Sequence, residues 1–297
     1  TKTIAPEDFE LPEYGTPDST RAPLKIQDGC STMCSFCLIP FARGRERSRL
    51  LDDLLREADL LASQGVREIV LTGVNIGQYN QGGADLHTVI ARLESIPGLE
   101  RIRISSIEPT TVTDQLLELM ASSSKLCPYL HIPLQSGDDG ILTAMNRSYS
   151  AQDYVRLVER ALHKIPTLGL GTDIMVGFPG EDDAAFANTL KLATELPFAY
   201  FHVFPFSPRP GTAAVKLTNP VAGVIADPFY SGASVMTTKF MTERPDVAKR
   251  VVAVIDQASQ GHTNRSTPTL QESLTVRRMV RLPLYALHGG VKAPDGL

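Results

Sequence analysis

The sequence predicts a parallel α/β fold of six strand–helix units, arranged as an open doubly wound sheet or as a partial (β/α)6 barrel. Three observations predict it. From about residue 22 to 206, short β-rich runs alternate with amphipathic helical stretches, which implies right-handed βαβ crossovers. Several helical stretches start at capping residues, such as Thr113-Asp114 and Ser150 with Asp153 three positions on, an arrangement that satisfies first-turn amides. The unusual polar and thiol residues fall at the C-terminal ends of the strand runs, where parallel α/β folds place ligands.

In order, the first strand candidate is Ala22–Asp28, leading to Cys30, and a helix candidate spans 50–64 with Gly65 as its stop. Arg67–Thr72 ends at Gly73 and precedes a helix at 85–95. Arg101–Ser106 leads to Glu108 and a helix at 112–122, and Tyr129–Leu134 leads to Gln135 and a helix at 151–164. Leu170–Val176 meets Gly177 before a helix at 182–195 that Pro197 closes, and Tyr200–Phe206 runs into Ser207 and Arg209. After Thr212 the alternation ends. Residues 213–235 read as a linker, 245–258 as a helix with Val247, Val251, Val254 and Ile255 on one face, and the rest from Gly261 shows little periodicity.

Of 297 residues, 42% are hydrophobic and 21% charged, the composition of a soluble chain able to bury a core. No apolar run of about 18 residues exists, so no membrane span is expected. The polar start, Thr1 to Thr20, lacks signal-peptide features, and the cytoplasm is the expected location. Net charge is −4, but residues 216–297 hold 10 Lys+Arg against 6 Asp+Glu. Nucleic-acid contact would therefore rest on local basic patches. Arg43, Arg45, Arg47 and Arg49 form one such patch, readable as a solvated face or as a grip on phosphate or carboxylate.

Three of the four cysteines, Cys30, Cys34 and Cys37, fall within eight residues at C-x3-C-x2-C spacing. In a cytosolic chain, clustered thiols point to metal or redox chemistry. Three thiolates can wrap a [4Fe–4S] cubane and leave one iron open, whereas electron-carrier clusters usually take four. An open iron is what chelation by the amino and carboxylate groups of S-adenosylmethionine (SAM) needs. Zinc is the rival, but it wants a fourth Cys or His. The loop contains no His, and Cys127 lies far off in sequence.

The stretch from Lys25 through Cys30, Cys37 and Pro40 to Arg49 resembles the cluster loop of the radical-SAM methylthiotransferases. The likeness continues in order through Leu71–Gly73, Arg101–Pro109, His131–Gly137, Met145–Arg147, Asp173–Glu181 and Ser207–Thr212. The resemblance implies a partial (β/α)6 TIM-like barrel over 22–215, preceded by a linker remnant (1–21) and followed by an irregular extension (216–297). It implies a [4Fe–4S] cluster on the three cysteines, SAM as co-substrate, and a reductant such as flavodoxin or ferredoxin. The substrate class implied is tRNA, at the anticodon stem-loop. Arg101–Pro109 and His202-Val203-Phe204 look most like the branch acting on threonylcarbamoyladenosine. The isopentenyladenosine and ribosomal-protein aspartate branches are alternatives, as are a small-molecule enzyme and a non-catalytic cluster-binding remnant.

By the same resemblance Gly73 and Asn75 meet SAM's methionine amino group, and Ser106 and Glu108 meet its ribose hydroxyls or ammonium. Phe36 and Gln135 also belong to the expected cofactor site. Asp173, Val176 and Gly177 would line the adenine, Val176 through its apolar side chain. Arg209 would meet a carboxylate. His131 reads as a satisfied core residue more than a ligand, Glu108 could instead cap the next helix, and Glu181 suits the helix dipole that follows it. Two departures stand out. Family members carry three further N-terminal cysteines for a second cluster, while the roughly 20 residues before the shared region hold none. A chain with this start would cleave SAM without completing methylthiolation. Residues 216–297 do not read as the family's basic RNA-binding β-barrel, and Ile225–Asp256 looks faintly like a solute-binding protein.

Overall fold

A computed structural model describes residues 20–217. Residues 1–19, the helix expected at 245–258, the solute-binding-like stretch, and the linker and extension beyond Leu217 lie outside the described residues.

In chain order the strands are β1 (Arg21–Lys25), β2 (Gln27–Asp28), β3 (Arg47–Ser48), β4 (Glu68–Thr72), β5 (Asn80–Gln81), β6 (Ala84–Asp85), β7 (Arg101–Ile104), β8 (Tyr129–His131), β9 (Gly169–Val176) and β10 (Tyr200–Pro205). The helices are α1 (Ile39–Ala42), α2 (Leu51–Ser63), α3 (Leu86–Glu94), α4 (Asp114–Ser122), α5 (Asp139–Ala144), α6 (Ala151–Lys164) and α7 (Asp183–Glu195).

Parallel ladders run in the orders β1-β4-β7 and β8-β9-β10. A parallel bridge between Ser106 and His131, with the Ile107 N–H donating to His131 O at 2.9 Å, joins β7 to β8. Strand order is thus chain order. A doubly wound sheet reverses its order at a switch point, so the fold is the partial (β/α)6 barrel. Among the described residues no ladder joins β1 to β10, and the wall is open there.

The alternation of side chains along each strand sorts the core from the lumen. Leu24, Ile69, Leu71, Ile102, Ile104, Leu130 and Leu170 point outward and share one buried core with Leu54, Leu61, Val89, Ile90, Leu117 and Val158 of the helices. Each such residue contributes about 1.5–3 kcal/mol on burial. The caps hold as expected: Thr113 accepts the Leu116 N–H, and Ser150 and Asp153 form a full capping box. Among the described residues no helix is long and apolar enough to cross a membrane.

Four strands end earlier than the sequence pattern suggests: β7 at Ile104 and β10 at Pro205 by two and one residues, and β1 and β8 by three each. The run Ala22–Asp28 breaks after Lys25, because β4 ends at Thr72 and Gln27-Asp28 pairs instead with the returning arm Arg47-Ser48. The run Tyr129–Leu134 stops at His131. There the register shifts: His131 faces Gly171, but Gln135 bridges to Ile174. One extra residue therefore bulges out of β8 beside Pro133. The Leu134 N–H finds the Thr172 hydroxyl at 2.9 Å in place of a backbone carbonyl. Helices α1 and α5 were not expected, being too short to show periodicity.

Candidate active site

The cysteine loop leaves β2 through Gly29, whose φ is +72°. A Cβ here would sit 2.0 Å from Arg45 O, so the close approach of the returning arm admits only glycine. Asp28, beside it, accepts the Gly29 N–H at 2.8 Å and pairs with Lys25 (2.9 Å), Arg43 (3.3 Å) and Arg47 (3.4 Å). Burial opposes its charge, but the bonds from Lys25, Gly29 and Arg43 outweigh that and hold its carboxyl below the usual range. Arg49 is buried against Asp53 (2.6 Å) and Glu57 of α2. Three of the four guanidiniums in the arginine run pair with carboxylates, Arg47 and Arg49 largely out of solvent and Arg43 from the surface, while Arg45 stands exposed.

Distant elements hold the loop. Gln27 is fully buried; its Nε2 donates to Asp28 O and Gly29 O, while its Oε1 accepts from Val74 N (3.0 Å) and Asn75 N (2.8 Å). A Cβ on Gly73 would lie 2.9 Å from Gln27 O, so the glycine permits this staple. The segment after α5 supplies a second anchor. Met145 O and Ala144 O accept from Ser35, and the Asn146 amide donates to Met33 O at 2.6 Å. A third is the Ala214 N–H donating to Ser35 O at 2.8 Å.

Cys30 is buried and Cys34 and Cys37 are half-buried, all three as free thiols. The Thr32 N–H points to Cys30 Sγ (3.4 Å) and the Ile39 N–H to Cys37 Sγ (3.5 Å). Arg147 Nη1 donates to Cys34 Sγ at 3.2 Å and to Glu108 Oε1 at 3.4 Å, Nη2 donates to Glu108 Oε2, and Nε donates to the Tyr149 hydroxyl at 3.2 Å. Burial pushes the Cys34 thiol up, with Arg147 opposing it. Three sulfur donors on one anchored loop, with amides and a cation directed at them, can hold a metal cluster. Among the described residues the only other thiol is Cys127, buried at the start of β8 beside Arg103.

The remaining expected residues fall into two groups. Asn75 is 2% exposed and neither its Oδ1 nor its Nδ2 has a partner. Gln135 sits at φ +65°, with Oε1 buried and unpartnered. Buried orphan amides of this kind cost about 1–3 kcal/mol each unless a ligand satisfies them. Gly177 takes φ +74° at the end of β9, and Ser106 and Arg209 are exposed at the same rim.

Others are committed elsewhere. Val176 turns its side chain into the core with Ala193 and Val203, because alternation along β9 puts Asp173 and Met175 inward and Ile174 and Val176 outward. It can offer only backbone to a base. Phe36 packs edge-on against Phe178, 6.3 Å between centroids, and underpins the loop. Glu108 caps no helix; it holds Arg147. Glu181 stands just before Asp182, the N-cap of α7. It folds back to accept the Gly177 N–H at 2.5 Å. Asp173 binds His131 Nε2 at 2.9 Å and His202 Nδ1 at 3.2 Å.

Residues 24–193, more than half of the chain, match the family model described as the Radical SAM superfamily. The chain belongs to that superfamily. This radical SAM chain is 43% identical over 202 residues to threonylcarbamoyladenosine tRNA methylthiotransferase MtaB of Chlamydia pneumoniae, covering 68% of this chain and 48% of that protein. It is 43% identical over 209 residues to tRNA-2-methylthio-N(6)-dimethylallyladenosine synthase of Ruegeria pomeroyi, with the same coverages. It spans about half the length of the curated relatives it matches. Among solved structures its fold is similar to TsrM, a radical SAM methyltransferase of Kitasatospora setae, at TM-score 0.56 and 15% identity over 89% of this chain and 61% of that one. Coproporphyrinogen III oxidase of Escherichia coli gives 0.54 and 18% over 80% and 52%.

Sequence reasoning gave no role to Gln27, Asn146 or Arg147 of this radical SAM chain. The partners of Arg147 stand 39 and 113 positions away, so no local pattern could reveal them. The available signal was the resemblance itself, whose stretches Lys25–Cys30 and Met145–Arg147 contain these residues without saying what they touch.

Proposed function

We propose that residues 22–215 form a radical SAM domain in which Cys30, Cys34 and Cys37 ligate a [4Fe–4S] cluster. The reaction would be methylthiolation of threonylcarbamoyladenosine in the tRNA anticodon loop, in the cytoplasm, with flavodoxin or ferredoxin as reductant. The observation that carries the reading is the anchored trio of thiols with Arg147 donating to Cys34 at 3.2 Å. Bound there, the cluster supplies one-electron reduction of SAM's sulfonium, which opens an unreactive C–H bond to sulfur insertion.

The chain's own residues bind and orient. The Arg147 cation offsets the negative charge of the thiolates while Glu108 fixes its aim. Gln27 sets the Gly73–Asn75 turn, so that the orphan amides of Asn75 and Gln135 offer donors and acceptors to the amino and carboxylate groups of SAM. Backbone of Val176 and Gly177 lies at the adenine side, with Ser106 and Arg209 at the mouth. The likeness to a threonylcarbamoyladenosine tRNA methylthiotransferase at 43% identity supports this substrate.

Anaerobic reconstitution with iron, sulfide and dithionite is expected to give a [4Fe–4S] spectrum and deoxyadenosine from SAM. Cys34→Ala is expected to lose both and keep its circular dichroism. Normal deoxyadenosine formation by that variant would remove the ligand assignment. Unmodified tRNA carrying threonylcarbamoyladenosine, analysed by mass spectrometry, tests the substrate. Because the chain's fourth cysteine is Cys127 alone, SAM cleavage and methylthio transfer are scored separately.

A further inference from the structure

We propose that His131, Asp173 and His202 form a site for one divalent transition-metal ion, on strands remote in sequence from the cysteine loop. The three donor atoms all lie within 4.8 Å of one another. His131 Nε2 is 2.9 Å and His202 Nδ1 3.2 Å from the same oxygen, Asp173 Oδ1. Two donors each about 2.1 Å from an ion stand about 3.0 Å apart at octahedral angles and about 3.4 Å apart at tetrahedral ones, so an ion needs only a few tenths of an ångström of adjustment here. The observed spacing therefore fits a shared ion on one face of its coordination sphere.

The barrel builds this arrangement from three adjacent strands. Asp173 of β9 stands in register with His202 of β10, and His131 of β8 pairs with Gly171, two residues before Asp173. All three side chains point into the lumen, one tier below the bulge at Pro133. His131 Nδ1 is bonded to the Tyr200 hydroxyl at 2.9 Å, an outer partner that fixes the ring and turns Nε2 toward the ion. Two imidazoles and a carboxylate suit iron(II), cobalt(II) or zinc better than magnesium or calcium. The His131 side chain is 5% exposed, Asp173 21% and His202 55%. The ion would be held on a buried side and open on the other, where water or an anionic oxygen of a substrate completes its shell. The same distances also fit a His–Asp–His hydrogen-bonded chain without metal, and the test separates the two.

Cluster-loaded, chelator-washed protein is titrated anaerobically with zinc alone, followed by calorimetry and elemental analysis. If the cysteines take no cluster, they are alkylated first, so that failure of the proposed function leaves this test intact. One zinc per chain is expected in the parent and in Cys127→Ser. Binding at least tenfold weaker is expected in His202→Ala and in Asp173→Asn. Cobalt(II) in the same preparation should give visible bands that His202→Ala abolishes. His202 is largely exposed, so that variant is expected to fold, and circular dichroism checks it. Absence of zinc from the parent, or undiminished binding in both variants, overturns the site and leaves the hydrogen-bonded chain.

Discussion

One guanidinium nitrogen of Arg147 donates to Cys34 Sγ at 3.2 Å while the same side chain is paired with Glu108 and lies over the Tyr149 ring, 5.0 Å from its centroid. A buried cation thus joins the cysteine loop to the rim of β7. Arg147→Met would strand Glu108, and loss of one partner of such a buried pair costs about 3 kcal/mol. Urea unfolding should register that loss, and the iron content after reconstitution should fall with it. The double variant with Glu108→Gln should recover part of the stability and none of the iron.

Gly29 and Gly65 make a matched pair. Both have positive φ, but a Cβ at Gly65 meets nothing within 4 Å, whereas at Gly29 it meets Arg45 O at 2.0 Å. Gly65→Ala should cost about 1–2 kcal/mol from backbone strain alone. Gly29→Ala should cost more and displace the loop, seen as iron bound well below one cluster per chain.

Gln27→Leu keeps the volume and removes four hydrogen bonds, leaving the Val74 and Asn75 amides without acceptors. With each buried unmet group costing about 1–3 kcal/mol, a total loss of about 3 kcal/mol or more is expected. Hydrogen exchange should accelerate at Val74 and Asn75 before it does at Leu71.

Acid should destabilise the fold through Asp28 and Glu68. Glu68 is buried at the base of the lumen and meets Arg21 (2.9 Å), Arg101 (3.0 Å) and Arg103 (2.9 Å). Burial opposes its ionisation, yet the arginines prevail and its pKa is lowered. With folded pKa below unfolded, the stabilisation is complete above the unfolded value. It is lost as pH falls through the ordinary carboxylate range toward the lowered folded-state values. Glu68→Gln should flatten that decline and lower stability near neutral pH, measured by denaturant unfolding across the range.

Much of the barrel was legible because its strands and helices announce themselves locally. Helices α2, α3, α4, α6 and α7 lie within two residues of their expected spans, since periodicity and caps such as Thr113 and Ser150 are short-range signals. Alternation alone left barrel and doubly wound sheet open, because strand order depends on the bridge between Ser106 and His131, and it was the motif resemblance that implied the barrel. The thiol trio is contiguous and was visible. The commitments of Arg49, Glu108 and Val176 were not, since each depends on which face packs and on partners beyond the local window.

The third anchor of the cysteine loop, from Ala214 to Ser35, has a consequence for the order of assembly. A nascent chain exposes its three thiols about 180 residues before that partner is synthesised, and long-range contacts of this kind form late. Iron loading onto the finished loop therefore belongs after translation of the barrel, and the free thiols need shielding from oxidants in the interval.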